Sequence, residues 1–207
     1  MIKGILFDLD GTLIDSEKIH EKAWILTCNQ NGFKITNEEL IMQKGRDAIE
    51  ASKIILKNHK LKINAKEFAK QKHENFLKMF KPKFFPMAVN ALKKLKTKYK
   101  IGLCTSANKD IIEKSFSKQD LSNIFDVIIK LGDYKKGKPN NEPLILASKK
   151  MGLKLKEVAY VGDSHNDYLA SKNCYELFYF CPKKENPKIP KKIKRIKNFK
   201  ELLNLLT

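Results

Sequence analysis

The sequence predicts an α/β fold: a Rossmann-like parallel sheet core with a small all-helical cap domain inserted into it. Three observations carry this reading. From residue 87 onward, short apolar runs alternate with amphipathic helical patterns, as in a parallel sheet covered by helices on both faces. A first apolar run, Ile5 to Phe7, is separated from that alternation by a stretch with helical periodicity only. Three of the runs also end in polar tips, at Asp8-Leu9-Asp10-Gly11-Thr12, Thr105-Ser106-Ala107-Asn108 and Gly162-Asp163-Ser164-His165-Asn166-Asp167, and open α/β sheets bind ligands beyond the carboxyl ends of their strands.

The elements follow in chain order. Residues 16 to 30 have helical spacing, with Ile19, Ala23, Ile25 and Leu26 on one face and Trp24 beside it. Asn31-Gly32 ends that helix, and Thr36 with Glu39 has the spacing of a capping box. Further helices are expected over 47–59 and 65–80, and the prolines of Lys81-Pro82-Lys83-Phe84-Phe85-Pro86 break the pattern. Helices then fall at 87–98, 109–119, 142–152, 166–172 and 198–206. Strands fall at 101–105, 125–130, 158–161 and 176–180, with a lysine- and proline-rich connection before the last helix. The expected division is a core of 1–15 and 85–207 and a cap of 16–84. Because the insertion starts just after Asp10, it lies over the strand tips, where a cap excludes water and recognises substrate.

At 207 residues the chain can hold one sizeable core, or a core with a smaller inserted unit. No apolar run approaches the length of a membrane span, and the first residues read as a strand rather than a signal peptide, so the expected location is the cytoplasm. Cys28, Cys104, Cys174 and Cys181 are scattered and read as reduced, mostly buried thiols. The net charge of +19 raises nucleic-acid binding as a function, yet Arg46 and Arg195 are the only arginines. Arginine is the preferred residue for bidentate phosphate and base recognition, so this composition argues against specific nucleic-acid binding. Distributed lysines still attract an anionic substrate.

Asp8 and Asp10 are the first candidates for chemistry. Two close carboxylates repel unless a cation or a shared proton relieves them, and magnesium takes hard oxygen ligands of this kind; an aspartate-rich turn is the alternative. Thr105 and Ser106 offer hydroxyls and backbone N–H groups that suit a phosphate, or alternatively a helix cap. Lys138 sits between Gly137 and Pro139, which fix the backbone on both sides. Asp163 can complete an oxygen-rich cation site with Asp8 and Asp10. Asp167 lies on the same side of the helix entrance, placed either to ligate or to stabilise the helix N-terminus.

Taken together, in this order and spacing, the four stretches resemble the haloacid dehalogenase superfamily over essentially the whole chain. The likeness is to its β-phosphoglucomutase-like and phosphoglycolate phosphatase-like branch, with a helical cap after the first motif. The resemblance implies magnesium dependence and phosphoryl transfer through an aspartyl-phosphate. It makes Asp8 the nucleophile, and Asp10 the acid that protonates the leaving alkoxide and then the base that activates water. Thr105 and Ser106 bind the phosphoryl, Lys138 neutralises charge, and Asp163 holds magnesium with Asp8 and the backbone carbonyl of Asp10. Since Asp10 must carry a proton in the first step, its environment is expected to raise its pKa.

Sibling activities separate by residue. Dehalogenases lack the second aspartate, so Asp10 argues against them. Sugar phosphomutases, the runner-up, usually carry Glu where this chain has Gly162, and a basic residue a few positions after the cap-loop glycine rather than Arg46 directly after Gly45. His20 either packs beside Trp24 or joins the chemistry; Lys44 and Arg46 are candidates for reading the substrate's non-phosphate end. Met87 stands where relatives often have glycine. The expectation is a phosphatase acting on a small phosphorylated metabolite, such as a sugar, polyol or amino-alcohol phosphate, that works as a monomer.

Overall fold

The computed structural model describes residues 1–182 and 186–206. In chain order the elements are β1 (Gly4–Phe7), α1 (Glu17–Gln30), α2 (Asn37–Met42), α3 (Ala48–Asn58), α4 (Ala65–Met79), α5 (Ala88–Lys96), β2 (Lys100–Cys104), α6 (Lys109–Ser115), α7 (Lys118–Ile124), β3 (Val127–Ile129), α8 (Glu142–Lys150), β4 (Val158–Gly162), α9 (His165–Ala170), β5 (Glu176–Phe180), β6 (Lys194–Ile196) and α10 (Phe199–Leu206). All neighbouring strands pair in parallel, in the order β3-β2-β1-β4-β5-β6. The order reverses around β1, and such a switch point opens a crevice at the strand ends.

Strands buried on both faces need apolar residues at every position. Ile5, Phe7, Ile101, Leu103, Ala159, Val161 and Phe178 face a layer that includes Leu92 and Leu95 of α5 and Leu202 of α10. Leu6, Cys104, Val158, Tyr160 and Leu177 face the other way, onto Leu144 and Ala147 of α8. Helices α1 to α4 form their own cluster around Trp24, Cys28, Ala51, Ile55, Leu56 and Phe68. The chain enters and leaves this helical insertion side by side: Asp15 N donates to Lys83 O at 2.9 Å, Phe85 N to Leu13 O at 3.0 Å, and Ile14 bridges Phe84.

The structure corrects three details of the sequence reading. In α1 the buried face is Ala23, Trp24, Thr27 and Cys28, while Ile25 and Leu26 are exposed at 42% and 39%. A polar pair explains this: Asn75 of α4 donates to Thr27 Oγ1 at 2.9 Å and Thr27 donates to Ala23 O at 2.8 Å, so a threonine sits inside the α1–α4 contact. The helix expected over 109–119 is two helices, because Phe116 is extended and Ser117 accepts from Asp120 N to cap α7. Strand β6 lies in the connection that had no expected element; residues 183–185 of that connection lie outside the described residues. Met87 adopts φ +64 at the start of α5, a left-handed conformation that glycine takes without strain. The Thr36–Glu39 capping box forms as expected, and no helix among the described residues is long and apolar enough to cross a membrane.

Candidate active site

Three strands deliver the polar tips to one place. Phe7 of β1 is level with Leu103 of β2 and Val161 of β4, so Asp8, Thr105 and Asp163 emerge together at the switch point. Ladder hydrogen bonds run to the tips: Asp8 N donates to Val161 O and Thr105 N to Ile129 O, both at 2.9 Å. Beyond Asp8 the chain turns at Gly11, whose φ of +80 excludes most residues. A Cβ there would also lie 2.3 Å from Asp163 Oδ2, so the turn is moulded on the Asp163 carboxylate. Thr12 Oγ1 donates to Asp163 Oδ1 at 3.0 Å.

Lys138 is the electrostatic centre. Its ammonium, buried with Asp8 and Asp167, donates to Asp8 Oδ1 at 2.8 Å, Asp167 Oδ1 at 2.7 Å and the Tyr160 hydroxyl at 3.1 Å. Burial alone would lower its pKa, but the charges of Asp167 and Asp8 hold it well above the ordinary lysine value. Burial pushes the Asp8 carboxyl up to about 7 despite Lys138. Burial, with the charges of Asp167 and Asp8, holds Asp163 well above the carboxylate range. Asp167 escapes: burial opposes its ionisation, yet Lys138, Ser164 and Tyr160 hold it below the ordinary value. Ser164 donates to its Oδ2 from both N and Oγ, at 3.0 and 2.5 Å, in the capping box of α9. Of the two roles weighed for this residue, stabilisation of the helix N-terminus is the one these contacts describe, and the pairing with Lys138 is a further one.

Carboxylate oxygens of Asp8, Asp163 and Asp167 lie within 4.8 Å of one another, and two of these groups resist ionisation as they stand. That donor set fits a hard divalent cation, which takes oxygen ligands and relieves such repulsion. Each Asp167 oxygen already accepts from two donors. Asp8 and Asp163 each accept one side-chain hydrogen bond, from Lys138 and Thr12, and so keep lone pairs to offer.

Asp10 stands in a different environment. Ser16 Oγ donates to its Oδ1 at 2.6 Å and His20 Nε2 lies 3.1 Å from the same oxygen. On the other side of the imidazole, Lys72 Nζ meets Nδ1 at 2.8 Å. Since an ammonium has no acceptor, Nδ1 accepts and the network assigns the imidazole proton to Nε2, facing Asp10. Burial and the Lys72 charge hold the His20 pKa down. Burial would raise Asp10, but His20, Ser16 and Lys72 outweigh it and lower its pKa. This reverses the expectation of a raised value: the sequence could not show that α1 and α4 bring a hydroxyl, an imidazole and a buried ammonium to this carboxylate. Lys72 itself was missed among so many lysines. It is buried beside Trp24 and Phe76, with Nζ 5.3 and 5.1 Å from their ring centroids, and desolvation pulls its pKa to about 8. Its position on the apolar face of α4, among Phe68, Ala69 and Phe76, was the available signal. His20 also stacks on Phe76 with centroids 4.2 Å apart, so it both packs and reaches Asp10.

A cavity of about 290 Å³ opens over these groups, lined by Asp8, Asp10, Asp163, Thr105, Ser106 and Lys138 from the sheet side and by His20, Lys44, Arg46 and Lys72 from the insertion. All the residues expected at the site except Asp167 line it. Thr105 Oγ1 accepts from Ala107 N at 3.0 Å, while Ser106 Oγ is buried without a partner; α6 is entered through Asn108 with no side-chain cap. Lys44 lines the cavity but is paired with Glu17, and at 3.7 Å with Glu21. The loop it belongs to is docked on the core: Asn166 Nδ2 donates to Lys44 O at 2.7 Å, and Gly45, at φ +66, sits where a Cβ would be 2.3 Å from Ser164 Oγ. Gly162 is likewise closed to a larger residue, since a Cβ would lie 2.7 Å from Asp167 Cβ. Trp24 is a core residue, 1% exposed, donating to Gln43 Oε1 at 2.8 Å.

Comparison with known proteins matches residues 5–176 to the haloacid dehalogenase-like hydrolase model, a span that includes all of the tips just described. The chain belongs to this family. It is an enzyme, a phosphoric ester hydrolase of the haloacid dehalogenase superfamily. A Clostridium perfringens protein carrying the provisional name pyrophosphatase PpaX is 34% identical over 177 residues, covering 84% of this chain and 80% of its own. Pyrophosphatase PpaX of Oceanobacillus iheyensis is 26% identical over 172 residues, covering 82% and 78%. Among solved structures, a hydrolase from Pseudomonas syringae superposes with a TM-score of 0.85 at 22% identity, covering 98% of this chain and 96% of its own. The β-phosphoglucomutase of Clostridium difficile gives 0.79 at 22% identity, covering 98% and 93%. At those identities the structural likeness speaks for the haloacid dehalogenase fold.

Proposed function

We propose that this haloacid dehalogenase-family enzyme is a magnesium-dependent phosphatase that hydrolyses a small phosphate monoester through an aspartyl-phosphate on Asp8, with the helical insertion as its cap. The observation that carries the reading is the Lys138–Asp8 contact at 2.8 Å, beneath a cavity that also presents Asp10 and Thr105. An ammonium beside Asp8 keeps a carboxylate available as nucleophile where burial would protonate it.

In the first step a carboxylate oxygen of Asp8 bonds to phosphorus as the bond to the leaving oxygen breaks, and Asp10 gives its proton to that oxygen. Asp10 rests ionised; it takes a proton from water or from the phosphate monoanion's own P–O–H when the phosphate's negative charge enters the cavity and opposes its ionisation. In the second step Asp10, again a carboxylate, takes a proton from water as the water oxygen attacks phosphorus, releasing orthophosphate and restoring Asp8. Ser16 and His20 hold the Asp10 carboxylate in place for both transfers. Thr105 and Ser106 position the phosphoryl oxygens, and Lys138 offsets their charge. Magnesium would be held by Asp8 and Asp163, with the Asp10 carbonyl, and would supply further charge neutralisation at the phosphoryl group; Asp167 orients Lys138 from behind.

The relatives named as pyrophosphatases support a second substrate class at this site, a phosphoanhydride, for which orthophosphate is the leaving group. The free thiols accord with a reducing compartment such as the cytoplasm. The test is phosphate release from p-nitrophenyl phosphate and from pyrophosphate. Activity that requires magnesium and is abolished in Asp8→Asn supports the reading, and activity that survives Asp8→Asn excludes Asp8 as nucleophile. A requirement for a bisphosphate activator, with isomer formed faster than phosphate, would assign the mutase alternative instead.

A further inference from the structure

Lys138 comes from irregular chain: residues 130–141, between β3 and α8, form no helix or strand. A lysine carries its charge on a flexible four-carbon stem, so the ammonium stays where its acceptors hold it. Three acceptors do so, one for each N–H: Asp167 Oδ1 at 2.7 Å, Asp8 Oδ1 at 2.8 Å and Tyr160 Oη at 3.1 Å. The first two are charged. The third is neutral, comes from the middle of the sheet and has no part in the chemistry described above.

Tyr160 is a rigid support. It stands at the middle of β4, level with Leu6 of β1 and Leu177 of β5, and its fully buried ring packs with Leu6, Cys104, Leu144 and Ala147. Gly162 leaves room for it: a Cβ there would lie 2.8 Å from Tyr160 Cε1 and 2.7 Å from Asp167 Cβ, so a larger residue would press on both. An ammonium cannot accept, so the hydroxyl accepts from Lys138 and is left to donate to Asp167 Oδ1 at 2.8 Å; the Cys104 carbonyl, at 3.5 Å, is the poorer acceptor. Burial and the negative charges of Asp167 and Asp8 hold the phenol well above its ordinary pKa, so it keeps the proton it donates. Lys138, Tyr160 and Asp167 thus close a triangle of hydrogen bonds behind Asp8. Tyr160 is not among the residues that line the cavity, so it touches Lys138 and not the substrate.

We propose that Tyr160 is a positioning residue: its hydroxyl, fixed by the sheet, sets the place of the Lys138 ammonium against Asp8 and so the charge that faces the transferring phosphoryl group. The inference rests on the phosphatase reading, in which Lys138 offsets phosphoryl charge beside the Asp8 nucleophile. As the Asp8 oxygen bonds to phosphorus, its carboxylate charge moves onto the phosphoryl group. Of the three acceptors, only Asp167 and Tyr160 then hold the ammonium in one place through both steps. Without the hydroxyl, one Lys138 N–H is buried with no acceptor, and the ammonium loses the only one of its supports that stands on a strand of the sheet interior. A preorganised charge stabilises the transition state only while it is held in position.

A double-mutant cycle on kcat tests this, with magnesium in excess and with p-nitrophenyl phosphate or pyrophosphate, whichever is turned over. Tyr160→Phe removes the oxygen and keeps the ring. The expected result is a kcat about tenfold lower with KM changed by less than about twofold, the pattern of an interaction used in the transition state. In the Lys138→Met background, where there is no ammonium to place, the same change lowers kcat by less than about twofold. A merely structural role gives the same factor in both backgrounds; that result, or an unchanged kcat in Tyr160→Phe, overturns the positioning role and leaves the phosphatase reading standing. If Lys138→Met itself leaves kcat unchanged, or if neither substrate is turned over, the phosphatase reading is refuted and the positioning role falls with it. Thermal melting shows whether each variant is folded, and Tyr160→Met replaces Tyr160→Phe in the cycle if the latter does not fold.

Discussion

Lys138→Met removes the one cation shared by two buried carboxylates while keeping the bulk and length of the side chain. Three hydrogen bonds disappear, to Asp8, Asp167 and the Tyr160 hydroxyl. Breaking a buried ion pair from one side costs about 3–5 kcal/mol, because the partner charge is left desolvated. At pH 7 without metal, Asp8 stands close to its pKa of about 7, so both carboxylate contacts contribute and the loss should fall in that range. At pH 5 Asp8 is already protonated in the unmodified protein, and since a group at its pKa is only half ionised the loss at pH 7 should exceed that at pH 5 by only ~0.4 kcal/mol. The turnover number should drop by about a hundredfold or more, as for removal of a preorganised charge that faces the reacting group. Urea denaturation followed by circular dichroism at the two pH values, without metal, measures the stability terms. A loss below about 1 kcal/mol at pH 7 would refute the electrostatic role given to Lys138.

The raised carboxyls make the metal-free protein less stable as pH rises. The unfolded chain releases the Asp8 proton near pH 4 and the folded chain near 7, so the native state binds more protons in between and stability falls across that window, by ~4 kcal/mol for this group alone. Magnesium should therefore raise the melting temperature more at pH 7.5 than at pH 5, and a pH-independent effect would contradict it. Lys72→Met removes the buried ammonium behind His20 and one of the influences that lowers Asp10. The basic limb of kcat/KM, which reports the proton Asp10 gives in the first step, should then move to higher pH, whereas a merely structural role for Lys72 would lower the whole profile without displacing it.

What the sequence made legible was the part of the site written in the backbone. Asp8, Thr105 and Asp163 follow strands whose apolar runs are visible, and parallel pairing in register brings such tips together without further information. Gly11 was readable as a turn and Gly45 as a cap-loop glycine, but not as places where a carboxylate and a serine side chain press on the α-carbon. Lys138 could be singled out only by its neighbours Gly137 and Pro139, since its ties to Asp8 and Asp167 are long-range. The part that stayed hidden was the contribution of the helical insertion. Thr27 and Asn75 place polar atoms inside the α1–α4 contact, which blurs the apolar stripe and misdirects attention to Ile25 and Leu26. The same packing turns Lys72 toward His20. Strand β6, Lys194–Ile196, is a short edge strand with two basic residues in three, and its pairing with β5 is set by tertiary contact rather than by a local pattern.

The central claim is a covalent phosphoryl on Asp8. Rapid acid quench of the magnesium-loaded enzyme during turnover, followed by borohydride reduction and peptide mass spectrometry, reads it directly, because the acyl phosphate is reduced to an alcohol at the residue that carried it. The account predicts reduction at Asp8 in the unmodified enzyme, and more strongly in Asp10→Asn with p-nitrophenyl phosphate, whose leaving group needs no acid while water attack lacks its base. Turnover with no modification at Asp8, or with the modification at another carboxylate, would contradict it.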